Sequence, residues 1–187
     1  MKKIILSLVV ALIVSFGVNA QATFKPGVGV NFSSVSDADD GVKGKAGWQL
    51  GGSVAFGEKF YFEPGVFFQK QALVDENTTA DDDVATFNGI RVPVAVGLDV
   101  LGNNDSLFGL RVFGGGSGFF VTKVSDNLNK DDIETTKWGV FAGAGVDITF
   151  IYVDLSYEWS LTNIQKDVSN IDLGKSRGLY LTAGFRF

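Results

Sequence analysis

The chain of 187 residues has no cysteine and no histidine, and only three prolines. Without cysteine there is no disulfide framework, no thiolate metal site and no lipid attachment through a cleavage-site thiol. Without histidine, Ser-His-Asp, Cys-His and Asp-His machinery is closed to it, and so are most zinc sites. Positive charge is also scarce, with 16 Lys and Arg against 21 Asp and Glu. That balance argues against nucleic acid, whose phosphates demand clustered cations. Beyond residue 20, no apolar run approaches the roughly 18 residues that a membrane-crossing helix requires. What the chain does have is 24 glycines and 17 phenylalanines, a composition suited to many strands joined by turns.

The first twenty residues read separately from the rest. Lys2 and Lys3 form a basic start, Ile4 to Phe16 an apolar run, and Val18-Asn19-Ala20 a small-residue cleavage site. This is the layout of a secretory signal peptide. The run is too short for a membrane anchor and stops at Gly17 and Asn19. The expected organisation is therefore a signal peptide over 1–20, cleaved near Ala20, and one domain over 21–187. Loss of the two lysines takes the net charge from −5 to −7.

From there to the end the chain alternates with period two, as strands do when their faces meet different surroundings. Eight segments are expected, near 24–34, 45–56, 59–70, 86–99, 107–121, 137–149, 151–161 and 178–187. In the seventh, Ile151, Val153, Leu155, Tyr157, Trp159 and Leu161 share one face, and Tyr152, Asp154, Ser156, Glu158 and Ser160 the other. Each strand has one apolar and one mixed face.

A soluble sandwich or ligand-binding barrel alternates too, so the connections carry the distinction. They run long and short in turn: 35–44, 57–58, 71–85, 100–106, 122–136, about 150, and 162–177. Short turns at one end and long polar loops at the other are the plan of an outer-membrane barrel with both termini in the periplasm. The long connections carry acidic runs such as Asp37-Ala38-Asp39-Asp40, Asp81-Asp82-Asp83 and Asp131-Asp132-Ile133-Glu134. Aromatics sort by end as well: Trp48, Trp138 and Trp159 fall toward the long loops, and Phe56, Phe60 and Phe150 beside short turns. Two such girdles are expected at the two membrane interfaces. The expected fold is all-β, an eight-stranded antiparallel up-and-down transmembrane barrel in the bacterial outer membrane. Phe185 and Phe187 end the last strand in the pattern of the C-terminal signal read by the outer-membrane assembly machinery.

Three stretches carry a family resemblance: Phe24-Lys25-Pro26-Gly27-Val28-Gly29-Val30-Asn31-Phe32-Ser33, Phe60-Tyr61-Phe62-Glu63-Pro64-Gly65-Val66, and Ile90-Arg91-Val92-Pro93-Val94. With them the chain resembles a small outer-membrane β-barrel family common in Bacteroidota, of porin-like or PorT-like type. The resemblance covers the whole mature chain. It implies generic surface barrels, and also a member linked to gliding and protein secretion.

Taking the mixed faces as luminal places Glu63, Arg91, Arg111, Asp147, Asp154, Glu158 and Arg186 inside. Charges in so narrow an interior are expected to pair, and adjacent strands suggest Glu63 with Arg91 and Arg111 with Asp147. Tyr61, Phe67, Phe113 and Phe141 point inward to fill the bore, whereas Gly51, Gly97, Gly143 and Gly145 would leave space for a thin water path. Asp154 and Glu158, four residues apart on one strand face, stand about 13 Å apart, too far for a glycosidase pair. Gly114-Gly115-Gly116-Ser117-Gly118 lacks the Lys-Ser/Thr of a phosphate loop and reads as strand. The acidic stretches at Asp37 to Gly41 and Asp81 to Asp83 lack the EF-hand spacing for calcium and read as solvated charge.

No cofactor, metal or enzymatic activity is expected, and no nucleic acid. The expected partners are outer-membrane lipid, the barrel assembly machinery, and an unidentified protein on the extracellular or periplasmic side. The leading expectation is a structural or surface-interaction barrel working through its outer loops. Narrow porin-like conduction and a secretion-linked role stand as alternatives, with a soluble ligand-binding barrel or lipid-modifying enzyme last.

Overall fold

The computed structural model describes residues 22–36, 42–75, 83–102, 106–124, 136–163 and 175–187. Eight strands follow one another: β1 (Ala22–Ser36), β2 (Val42–Gly57), β3 (Phe60–Asp75), β4 (Asp83–Leu101), β5 (Phe108–Val124), β6 (Thr136–Ile148), β7 (Ile151–Asn163) and β8 (Lys175–Phe185). Each pairs antiparallel with the next, and β8 pairs with β1, so the sheet closes with no free edge. Closure matters because an unpaired backbone N–H or C=O in hydrocarbon costs several kcal/mol.

At the lower end the seam is finished by Phe24 and Phe187, whose backbones exchange two hydrogen bonds of 2.9 Å. The turn between β6 and β7 is only Thr149-Phe150, and Thr149 takes a positive φ of 56°. Its N–H donates to the Leu107 carbonyl, and the Phe150 carbonyl accepts from Arg186 N–H. This two-residue hairpin is thereby tied to its neighbours on both sides.

Strand faces follow the alternation of the sequence. Along β7, Ile151, Val153, Leu155, Trp159 and Leu161 are exposed on the outside, while Tyr152 is buried inside. From Ile151 to Leu161 that apolar edge runs about 33 Å along the strand, or about 25 Å when tilted by ~40°, the height of an outer-membrane apolar band. The outer ends of most strands extend beyond the expected limits. β2 begins at Val42, and its ladder with β3 continues to the Val42–Asp75 pair.

Candidate functional site

Filling the lumen is a problem of small radius. Eight strands leave an interior just wide enough for side chains, and this one is filled by two charged layers. The lower layer, toward the short turns, is built around Lys25 and Arg111. Lys25 Nζ stands 2.9 Å from Glu63 Oε1 and 3.4 Å from Asp154 Oδ2. Arg111 contacts Asp147 Oδ2 at 2.8 Å through Nε, holds Asp154 with Nη2, and lies 3.9 Å from Glu63. Arg186 makes a second contact to Asp147 Oδ2 at 2.8 Å. The Tyr152 ring lies under both bases, 4.6 Å from Lys25 Nζ.

The upper layer spans the bore from β4 to β7. Arg91 donates through Nε and Nη2 to Glu158 Oε2 and stacks over the Tyr180 and Phe141 rings at 4.5 and 5.2 Å. The Tyr180 hydroxyl accepts from Gln69 and Gln71 at 3.3 and 3.4 Å. Between the layers is a cavity of about 60 Å³, lined by Gln49, Ser53, Phe67, Arg91, Tyr152 and Asp154 among others. It has room for a few water molecules. Three neighbouring buried amides, Asn31, Gln49 and Gln69, spend their N–H groups on Lys70 O, Thr182 Oγ1 and Tyr180. Their carbonyl oxygens are left without a protein donor.

All seven charges expected inside face the lumen, in two groups. Glu63, Arg111, Asp147, Asp154 and Arg186 share the lower layer, and Arg91 and Glu158 form the upper one. Arg111 meets Asp147, but the expected Glu63–Arg91 pair does not form. Glu63 stands opposite Ala95, and Arg91 opposite Phe67. That offset of four residues is about 13 Å on adjacent strands. Glu63 turns instead across β2 to Lys25. The intervening residue, Ser53, is small enough to be crossed and donates to Glu63 Oε1 at 2.6 Å. Lys25 was legible from parity, because Phe24, Val28, Val30 and Phe32 face outward and put residue 25 inside.

The inward glycines do not leave a path. A side chain at Gly97 would meet the Tyr61 ring, at Gly143 the Phe113 ring, at Gly145 Asp154 and Arg111, and at Gly51 Phe67 and the backbone of Val66. The missing side chains are the room that these large neighbours occupy. The Gly114–Gly118 run lies within β5, as strand. The acidic stretches at 37–41 and 81–82 lie outside the described residues.

On the outside, Trp48, Trp138 and Trp159 are exposed toward the outer ends, paired with Phe68, Phe120 and Tyr157 at 5.6, 6.1 and 4.8 Å. Phe60 and Phe150 are exposed near the short turns, and Phe56 faces out half-covered. Phe150 stacks on Phe185 at 6.0 Å, and Phe187 lies tilted against Phe185 at 6.3 Å.

Among solved structures the chain is similar to the outer membrane protein OprG from Pseudomonas aeruginosa, at 14% identity and a TM-score of 0.51, covering 92% of this chain and 98% of that one. It is also similar to Ail, the attachment invasion locus protein of Yersinia pestis, at 16% identity and 0.47, covering 89% and 99%. Neisserial surface protein A aligns at 13% and 0.48, over 90% and 99%. At such identities the likeness concerns the fold. No curated protein matches the chain. The family described as the outer membrane protein beta-barrel domain matches residues 6–187. A closed eight-stranded barrel with an apolar exterior and a charged interior, matched to that family over nearly its whole length, belongs to it: the chain is an integral β-barrel protein of the bacterial outer membrane.

Proposed function

We propose that the protein is a surface-interaction barrel, in which a filled lumen serves as the rigid core of a platform for the outer connections. The observation that carries this reading is the pair of charged layers across the bore, with a cavity of about 60 Å³ between them. A solute would have to break buried ion pairs on both sides of that cavity, and breaking such a pair by loss of one partner costs about 3–5 kcal/mol. The four outer segments, 37–41, 76–82, 125–135 and 164–174, carry twelve carboxylates and two lysines. Their acidic composition is what this reading assigns to contact with a partner.

The chain is exported by a signal peptide cleaved near Ala20, and Phe185 and Phe187 are read by the assembly machinery. It carries no enzymatic activity, and it resembles the porin-like and PorT-like barrels of Bacteroidota. The test is to refold the barrel in detergent, verify it by heat-dependent gel mobility, and record conductance in a planar bilayer. The expected result is a folded but electrically silent barrel, whose cell-surface binding phenotype disappears when 76–82 or 125–135 is replaced by a short turn. Reproducible current steps altered by neutralising Arg91 would overturn the reading in favour of a narrow channel.

A further inference from the structure

Proline interrupts β3 on both sides within the apolar band, where Val66 and Phe68 are exposed above the interruption and Phe60 below it. The ladder with β2 reaches Ser53–Gly65 and resumes at Phe56–Phe62, skipping Val54–Pro64 and Ala55–Glu63. The ladder with β4 reaches Pro64–Val94 and resumes at Phe67–Arg91, skipping Gly65–Pro93 and Val66–Val92. The cause is covalent. Proline has no N–H to give, so the carbonyls of Val54 and Gly65 lose the donors that the register would supply. Pro26, the third proline of the chain, breaks the β1–β8 ladder between Gly27–Gly184 and the Phe24–Phe187 bonds, but it does so singly. Hydrocarbon offers a carbonyl no substitute donor, and proline is rare inside paired strands for that reason. Two prolines flanking one dipeptide of the wall therefore leave that dipeptide weakly held.

Little side-chain mass covers the spot. Gly65 has none, and neither has Gly52, which stands opposite Val66. On the luminal side the Phe67 ring lies over Gly65, where a Cβ would come within 3.2 Å of it. Behind that ring is the central cavity, lined by Ser53, Phe67 and Pro93, one residue from each of the three strands at the interruption. Above and below the cavity, the Arg91–Glu158 pair and the layer around Lys25 and Arg111 close the axial routes. Gln49 also lines it, 3% exposed, and its Oε1 has no hydrogen-bond partner.

We propose that the barrel wall carries a lateral port at Pro64–Gly65, through which the central cavity exchanges small uncharged molecules with the hydrocarbon of the membrane. Parting β3 from β2 and β4 at this point breaks fewer hydrogen bonds than parting a full ladder, and a swing of the Phe67 ring clears the inner side. The cavity of about 60 Å³ limits the occupant to a few heavy atoms. Gln49 Oε1 selects one that carries a hydrogen-bond donor, and the hydrocarbon at the entrance excludes charge. The port goes beyond the surface-interaction reading and leaves its outer connections and its axially closed bore unchanged.

The experiment uses the chain's lack of cysteine. Ser156→Cys places one thiol on the cavity wall contributed by β7, away from the port. The barrel, residues 21–187, is refolded into phospholipid vesicles, and modification is timed by mass spectrometry with two thiol reagents. Methyl methanethiosulfonate is small, uncharged and membrane-soluble; its trimethylammonium-ethyl analogue is charged and confined to water. The uncharged reagent is expected to modify the thiol and the charged one to leave it intact. Pro64→Val with Pro93→Val restores both donors and should slow the uncharged reagent roughly tenfold, whereas Pro26→Val should leave its rate unchanged. Phe67→Ala, which leaves the ladders as they are, should speed the uncharged reagent alone. Comparable modification by the charged reagent overturns the port in favour of an axial water route. Equal rates with and without the two proline replacements overturn its placement. A thiol that neither reagent reaches in the folded barrel, with or without Phe67→Ala, but both reach in urea, shows a wall that stays shut.

Discussion

Replacing Arg111 by methionine tests the lower layer most directly. Arg111 is 5% exposed, and its guanidinium is shared by Asp147 and Asp154, with Glu63 at 3.9 Å. Methionine keeps much of the stem volume and removes the charge, leaving Lys25 and Arg186 to face Glu63, Asp147, Asp154 and Asp99. Loss of one partner from a buried ion pair costs about 3–5 kcal/mol, chiefly through the charge left behind. Two carboxylates lose their Arg111 contact here, so the expected loss is about 4 kcal/mol. Arg111→Lys retains the charge but not the planar fork, and should fall between the two. The assay is urea unfolding of the refolded barrel in detergent, read by tryptophan fluorescence and by the loss of heat-modifiable mobility. Adding Asp147→Asn to Arg111→Met should recover part of the loss, with a coupling of about 0.5–3 kcal/mol. An Arg111→Met barrel within about 1 kcal/mol of wild type would refute the reasoning, because it would mean that water already screens the layer.

Other perturbations separate packing, strain and lipid contact. Gly97→Ala drives a methyl into the Tyr61 ring and should cost about 1–3 kcal/mol by the same urea assay, and less in a Tyr61→Leu background. Thr149→Gly should stabilise the barrel by about 1 kcal/mol, since it relieves a β-branched residue at φ 56° while keeping the N–H bond to Leu107. Leu155→Arg, at the middle of the lipid-facing edge of β7, should cost about 2–4 kcal/mol. Ser156→Ala, on the luminal face beside the cavity, should change stability by less than about 1 kcal/mol.

Much of the architecture was legible because period-two alternation is a local property. Once Phe24, Leu155 or Leu181 is known to face lipid, the parity of its neighbours follows. The lengths of the connections orient the barrel without any knowledge of how the strands pair. The tryptophans reinforced that orientation, since each carries an apolar ring and a polar N–H suited to the interface. Lys25 shows the limit of a scan confined to the plainest strands. Its side was available from parity, but its importance emerged only when Glu63 and Asp154 were brought around it.

The sequence by itself determined an eight-stranded outer-membrane barrel and which side of each strand is wet. Only the tertiary structure decided who meets whom inside. Parity is blind to register, so it could not reveal that Glu63 and Arg91 miss one another by four residues while Arg111 and Asp147 lie within reach. Closure of the cylinder also places β4 across the bore from β7, so that Arg91 reaches Glu158 over a separation of 67 residues. It folds the rings of Tyr61 and Phe113 over the inward glycines that a flat strand would leave as gaps. The physical reason is the same in each case: alternation is set by covalent geometry within one strand, whereas contacts across a closed bore depend on tilt, register and the volume of every facing side chain at once.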